Sequence, residues 1–156
     1  DSWVVNNQTG ISFKSATVNI EYNLIQNNII GIDVGSSRLA PSKIRNNIIT
    51  LNERGIVVDN SSQKINRNHI INNFEFGIVV RGSCLRSDAL GEQLCQTIDA
   101  RENWWGNTDA EEIASQILDH DDLSFLHSIL PLKSLINPKY FFFYSCFARV
   151  LIFSNS

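Results

Sequence analysis

The 156-residue chain has no methionine, and only three prolines, three cysteines and three tryptophans. Without a methionine, residue 1 is not a translation start, so a processed form or a piece of a longer chain is expected. There is no leading apolar stretch, so any signal peptide is expected upstream or already removed. Basic residues are few and scattered, and the net charge is −3. That balance argues against nucleic acid, which requires a clustered positive face. A membrane span needs about 20 apolar residues. The longest apolar run, Tyr140 to Phe153, is shorter and contains Arg149. No span within this chain is expected. Cys84 and Cys95 flank one polar segment without a further Cys-x-x-Cys or a histidine cluster, which argues against zinc. They read as a local disulfide or as two unrelated thiols. The disulfide would place the chain in an oxidising compartment.

What the sequence has in quantity is asparagine, at a fixed period. One unit reads Ile20-x-x-Asn23-x-Ile25-x-x-Asn28-x-x-Gly31-Ile32-x-Val34. The next reads Ile44-x-x-Asn47-x-Ile49-x-x-Asn52-x-x-Gly55-Ile56-x-Val58. A third, Ile65-x-x-Asn68-x-Ile70-x-x-Asn73, reaches Gly77-Ile78-x-Val80 after one extra residue. A half unit, Val4-x-x-Asn7-x-x-Gly10-Ile11-x-Phe13, precedes them. The glycines are spaced by 21, 24 and 22 residues.

A period of this size means stacked units that bury a shared core. Apolar residues alternate within each unit, as in a strand, and β-branched residues dominate. No unit carries a helix-length apolar stripe, and leucine is not the recurring residue. A coil of short strands, each pairing with its counterpart in the next turn, is what remains: a parallel β-helix. Asparagine tolerates the left-handed backbone of sharp turns, and stacked amides can hydrogen-bond along the axis. Two columns are implied, Asn23–Asn47–Asn68 and Asn7–Asn28–Asn52–Asn73, with neighbours about 4.8 Å apart. The glycines mark turns that need positive φ or close approach. Ile25, Ile49, Ile70, Ile32, Ile56 and Ile78 should face inward. Two sequons, Asn7-Gln8-Thr9 and Asn60-Ser61-Ser62, are present. Asn7 belongs to a column, so Asn60 is the better glycosylation candidate.

The period breaks at an insertion over 81–97, which holds both Cys84 and Cys95. It resumes at Ala100-x-x-Asn103-x-Trp105, which matches Ile65-x-x-Asn68-x-Ile70. Asn103 should extend the first column, and Trp105 should point inward. Thr108-x-x-Glu111 and Asp109-x-x-Glu112 then announce a helix over about 109–119. Trp104, Trp105 and Gly106 read as a seal between the last coil and that helix, because bare coil ends invite aggregation. Residues 1–135 form the β-helix unit. Residues 136–156 form an apolar tail, read as an extra strand or a non-native extension.

The coil repeats followed by ARENWWGNTDAEEIASQILD resemble the right-handed parallel β-helix, pectate-lyase-like superfamily. The likeness is greatest to its NosD-type branch, closed by an Asn-Trp-Trp-Gly segment. A narrower likeness is to animal cell-surface proteins of the bark beetle/anakonda type. The resemblance implies an all-β, right-handed parallel β-helix of about four to five coils with a C-terminal helical cap.

It also implies what an enzyme of that superfamily would need: clustered Asp for calcium, or paired carboxylates with a nearby Arg or Lys. In this alignment no column carries two carboxylates on adjacent coils. Asp59 and Arg81, and Glu21 and Arg45, read as surface ion pairs. Asp119, Asp121 and Asp122 read as solvated loop or as calcium donors. Trp104 reads as an end cap or as a platform for a sugar ring. No catalytic residue, metal site or cofactor is assigned. The leading expectation is a non-catalytic extracellular scaffold that meets a protein or glycan partner. A fragment of a carbohydrate-active enzyme, a lyase or epimerase with its catalytic coils elsewhere, is the competing reading.

Overall fold

The computed structural model describes residues 1–36, 41–82, 96–119, 141–142 and 148–152. Cys84, Cys95, Asp121 and Asp122 fall outside these residues. The chain winds repeatedly through three parallel sheets. The first sheet is β1 (Trp3–Val5), β4 (Leu24–Gln26), β7 (Ile48–Thr50) and β10 (His69–Ile71), paired in that order. The second is β2 (Thr9–Phe13), β5 (Ile30–Val34), β8 (Arg54–Asp59), β11 (Phe76–Arg81) and β13 (Ile117–Leu118). The third is β3 (Asn19–Glu21), β6 (Lys43–Arg45), β9 (Gln63–Asn66), β12 (Gln96–Asp99) and β15 (Ala148–Ile152). Within the third sheet β15 runs parallel to β12, and β14 (Phe141–Phe142) runs antiparallel to β15. This is a parallel β-helix.

The register stacks like on like. Ile11, Ile32, Ile56, Ile78 and Ile117 are partners across the second sheet. Ile25, Ile49 and Ile70 are partners across the first. These isoleucines line the interior, and nearly all are fully buried. First-sheet strands are only three residues long, and an asparagine turn brackets β4, β7 and β10 at both ends. One residue per strand therefore faces in and two face out.

Three complete turns separate β1 from β10, fewer than the four to five coils expected. The last coil is incomplete. Its first-sheet strand is a single bridge, Trp104 to His69, and its second-sheet strand is only β13. The closing helix is also shorter than the 109–119 expected. It is α1 (Ala110–Ser115), capped by Asp109 Oδ1, which accepts from the Glu111 and Glu112 amides at 2.9 and 3.1 Å. The open edge of β11 stops it. The Gln116 carbonyl accepts from the Gly77 amide at 2.7 Å and from the Ile78 amide at 3.2 Å. Ile117 then lies beside Ile78. Satisfying two edge donors outweighs one more helical turn, since buried unpaired donors are costly. The edge is covered by a short strand, β13, that follows the helix.

The recurring glycines serve close approach, not positive φ. A Cβ on Gly31 or Gly55 would lie 2.5 Å from the carbonyl oxygen of the next glycine in its column. Neither glycine is among the residues with positive φ. Gly55→Ala is therefore expected to cost about 1–3 kcal/mol by overpacking against backbone that cannot yield. Urea unfolding measures this, and a variant as stable as wild type would contradict the packing described.

Candidate functional site

Each interior column asparagine touches three coils and closes backbone in two of them. The Asn47 amide N and its Nδ2 both donate to Asn68 Oδ1, at 3.0 Å each. Asn47 Nδ2 also donates to the Arg45 carbonyl in its own coil at 3.0 Å and to the Ile20 carbonyl of the coil before at 2.8 Å. Asn47 Oδ1 accepts from Asn23 N and Nδ2. The pattern continues to Asn103, whose Oδ1 accepts from Asn68 N and Nδ2 at 2.9 and 3.0 Å. The second column repeats it through Asn7, Asn28, Asn52 and Asn73.

The left-handed residue of each turn is not the column asparagine but the one before it. Tyr22, Asn46, Arg67 and Glu102 precede the first column with φ of 59°, 56°, 58° and 61°. Asn6, Asn27, Leu51 and Asn72 precede the second with φ of 61°, 55°, 54° and 54°. The asparagine follows the kink and ties it down through its side chain. That is why Leu51, Tyr22 and Arg67, poor left-handed residues by themselves, are held there.

At the third corner no asparagine recurs, and sequence reading found nothing. There Ser42 Oγ accepts from the Val18 amide at 3.0 Å, and Gln63 Oε1 accepts from the Ser42 amide at 3.0 Å. Different side chains do one job on successive coils, so no repeat reveals it.

Trp105 is buried inside the coil beside Gly77 and Ile70. Its indole Nε1 is buried with no hydrogen-bond partner among the described residues. Gly106 turns with φ +82°. Trp104 is 45% exposed, its backbone bonded to Asn68 and Ile70 of the neighbouring coil at 2.8 Å each. Asn60 is exposed with φ 41°, its side chain lying close against Gly82.

One feature corrects the alignment. Glu53 and Glu75 do lie on adjacent coils, since the Glu75 amide donates to the Glu53 carbonyl at 2.8 Å. The third unit has one extra residue between Asn73 and Gly77, which hides their register. Arg54 reaches both carboxylates, Glu75 at 2.7 Å and Glu53 at 3.2 Å. Arg54 and Glu75 also line an open cleft of about 340 Å³ with Phe76, Val79, Arg81 and Leu118. All three charged groups of the cluster are partly exposed, which suits a surface ion cluster worth under ~1 kcal/mol per pair. Glu21 and Arg45 pair at 2.9 Å. Asp59 and Arg81 are strand partners.

Asp99 was not foreseen as a site residue. The Arg101 guanidinium donates two bonds to it, at 2.7 and 2.8 Å, and Asn66 Nδ2 adds a third at 3.3 Å. Chiefly through Arg101, its carboxyl is held below the usual carboxylate range. A depressed folded pKa stabilises above the unfolded value of about 3.9 and loses that effect as pH falls through the folded one. Asp99→Asn is expected to destabilise at pH 7 by less than ~1 kcal/mol. The gap to wild type should narrow below about pH 4 in thermal melts. A gap that widens on acidification would reverse the assignment. Asn52→Ala strands the Asn28 amide and the Ile25 and Thr50 carbonyls. It should cost about 3 kcal/mol or more, at ~1–3 per buried group. Asn7→Ala, at the exposed end, should cost under ~1 kcal/mol. Equal losses in urea unfolding would refute the unequal burial of the two rungs.

No curated protein and no solved structure matches the chain. The profile of one family, described as "Periplasmic copper-binding protein (NosD)", matches residues 1–88, more than half of the sequence. That match falls on the coil repeats themselves, from β1 through β11, and the chain belongs to the NosD family of parallel β-helix proteins.

Proposed function

We propose that the chain is a non-catalytic β-helix segment working outside the cytoplasm, where it serves as a rigid scaffold that recognises a protein or glycan partner. The observation that carries this reading is the pair of asparagine columns running from coil to coil beside a filled isoleucine interior. A rod closed in that way offers its outer faces, not a cavity, to a partner. Membership in a family described as periplasmic supports the extracytoplasmic setting. Among the described residues no helix is long and apolar enough to cross a membrane. The exposed sequon at Asn60 and a Cys84–Cys95 disulfide would suit the same setting.

The family description names copper. Copper takes imidazole, thiolate or thioether donors. The chain has no methionine, and His69 is the only histidine among the described residues. Among those residues no group of three His, Cys, Asp or Glu could hold a metal ion. Among the described residues the donor set does not fit copper, and the proposed function assigns it no role.

The Glu53–Arg54–Glu75 cluster favours the second reading, a piece of a carbohydrate-active enzyme. Paired carboxylates can act as acid and base on a glycosidic bond. Here one guanidinium ties both. Incubating the chain with polygalacturonate and following new reducing ends and unsaturated products separates the readings. No turnover is expected. Turnover abolished by Glu75→Gln would overturn the scaffold reading.

A further inference from the structure

Among the described residues, the coil over 96–119 meets the coil before it through a thinner joint than any two earlier coils share. In the first sheet a single bridge, His69 to Trp104, follows the three register pairs of β7 with β10. In the second, β13 matches β11 at Ile78 and Val79 only, whereas β8 matches it at five positions. In the third, β12 matches β9 at two positions, whereas β6 matches it at three. β15 pairs with the opposite edge of β12, so that contact does not cross the joint. One asparagine column also stops short. Asn28, Asn52 and Asn73 stand five residues after their first-column neighbours, but five residues after Asn103 stands Thr108. The interior adds a penalty. Trp105 packs there beside Ile70, and its buried indole N–H has no acceptor among the described residues. Opening the joint would give that donor water.

We propose that residues 96–119 open from the rod as one unit while the preceding coils stay folded, with the Asn103 rung as the latch. Proteins open in cooperative units, and the unit with the fewest bonds to the rest opens at the lowest free energy. Asn103 ties the Asn68 amide and the Ile65 carbonyl across the joint, at 2.9 and 2.6 Å. Flanking links, from Arg67 to Glu102 and from Asn66 to the Asp99 and Arg101 carbonyls, sit at the partly exposed surface. Such surface links contribute little. Opening frees the Ile70, Gly77 and Ile78 amides and the Asn68 carbonyl at the edges of β10 and β11. A strand edge exposed in that way is a template for pairing. The rod thus switches between a capped end and a receptive one. This behaviour goes beyond the scaffold reading and does not depend on it.

Native-state hydrogen exchange of the whole chain in low urea, read by NMR, tests it. The Ile70, Gly77, Ile78 and Trp104 amides bond across the joint, and the Ile48 and Arg54 amides bond between earlier coils. The first four should exchange at least about tenfold faster than the other two and share one urea slope, smaller than that of global unfolding. Ile25→Val removes a methyl from the buried interior of the earlier coils. It should speed Ile48 and Arg54 by about threefold or more and leave the joint amides unchanged, because that loss is common to the closed and open forms. Asn103→Ala should speed the joint amides at least about tenfold. If Asn103→Ala unfolds the whole chain, the wild-type and Ile25→Val patterns still decide. One rate for all six amides, separate urea slopes within the joint, an equal response of both sets to Ile25→Val, or joint amides indifferent to Asn103→Ala would each overturn the proposal.

Discussion

The structure depends on one primary amide with more hydrogen bonds than its share. In an interior rung such as Asn47, a single side chain satisfies carbonyls in two coils and pairs with amides in two. The backbone leaves the sheet at each corner, so its donors and acceptors there would otherwise be buried without partners. A turn that placed any other small polar residue at that point would close only part of the set. The isoleucine interior supplies most of the burial. The asparagine columns decide that the burial occurs in one register and no other, because a slip by one residue would turn every inward isoleucine outward.

This coupling explains the unusual backbone beside each rung. Leucine, tyrosine, arginine and glutamate occupy left-handed φ at Leu51, Tyr22, Arg67 and Glu102. Alone, each would favour another conformation by about 1–2 kcal/mol. The bonds made by the following asparagine hold them there. Identity at the kink is therefore nearly free, and those positions can carry surface chemistry. Arg67 and Glu102 use that freedom for an ion pair across adjacent coils.

Much of this was legible in the sequence because it recurs. The inward isoleucines, the two asparagine columns and the resumption of register at Asn103 and Trp105 all follow from spacing alone. Features that occur once were not legible. The Ser42–Gln63 corner uses different residues on neighbouring coils. The register of Glu53 with Glu75 is concealed by the single extra residue between Asn73 and Gly77. The helix ended early because a distant strand edge, at Gly77 and Ile78, competed for its backbone. Local propensity has no knowledge of that edge. Propensity points to the column asparagines as the left-handed residues, whereas the residue before each takes that conformation, since propensity names the residue type that tolerates a kink but not which of two adjacent residues takes it.

The unequal treatment of the three corners has a geometric outcome. Two corners are pinned by identical amides that recur from coil to coil. The third, between the second and third sheets, has no repeated amide among the described residues, and there Ser42 and Gln63 bridge the coils. The long connections from β5 to β6 and from β11 to β12 both fall there. These two connections therefore leave the rod along the same edge. A lineage can lengthen or rewrite that edge coil by coil, and the scaffold beneath it is copied unchanged.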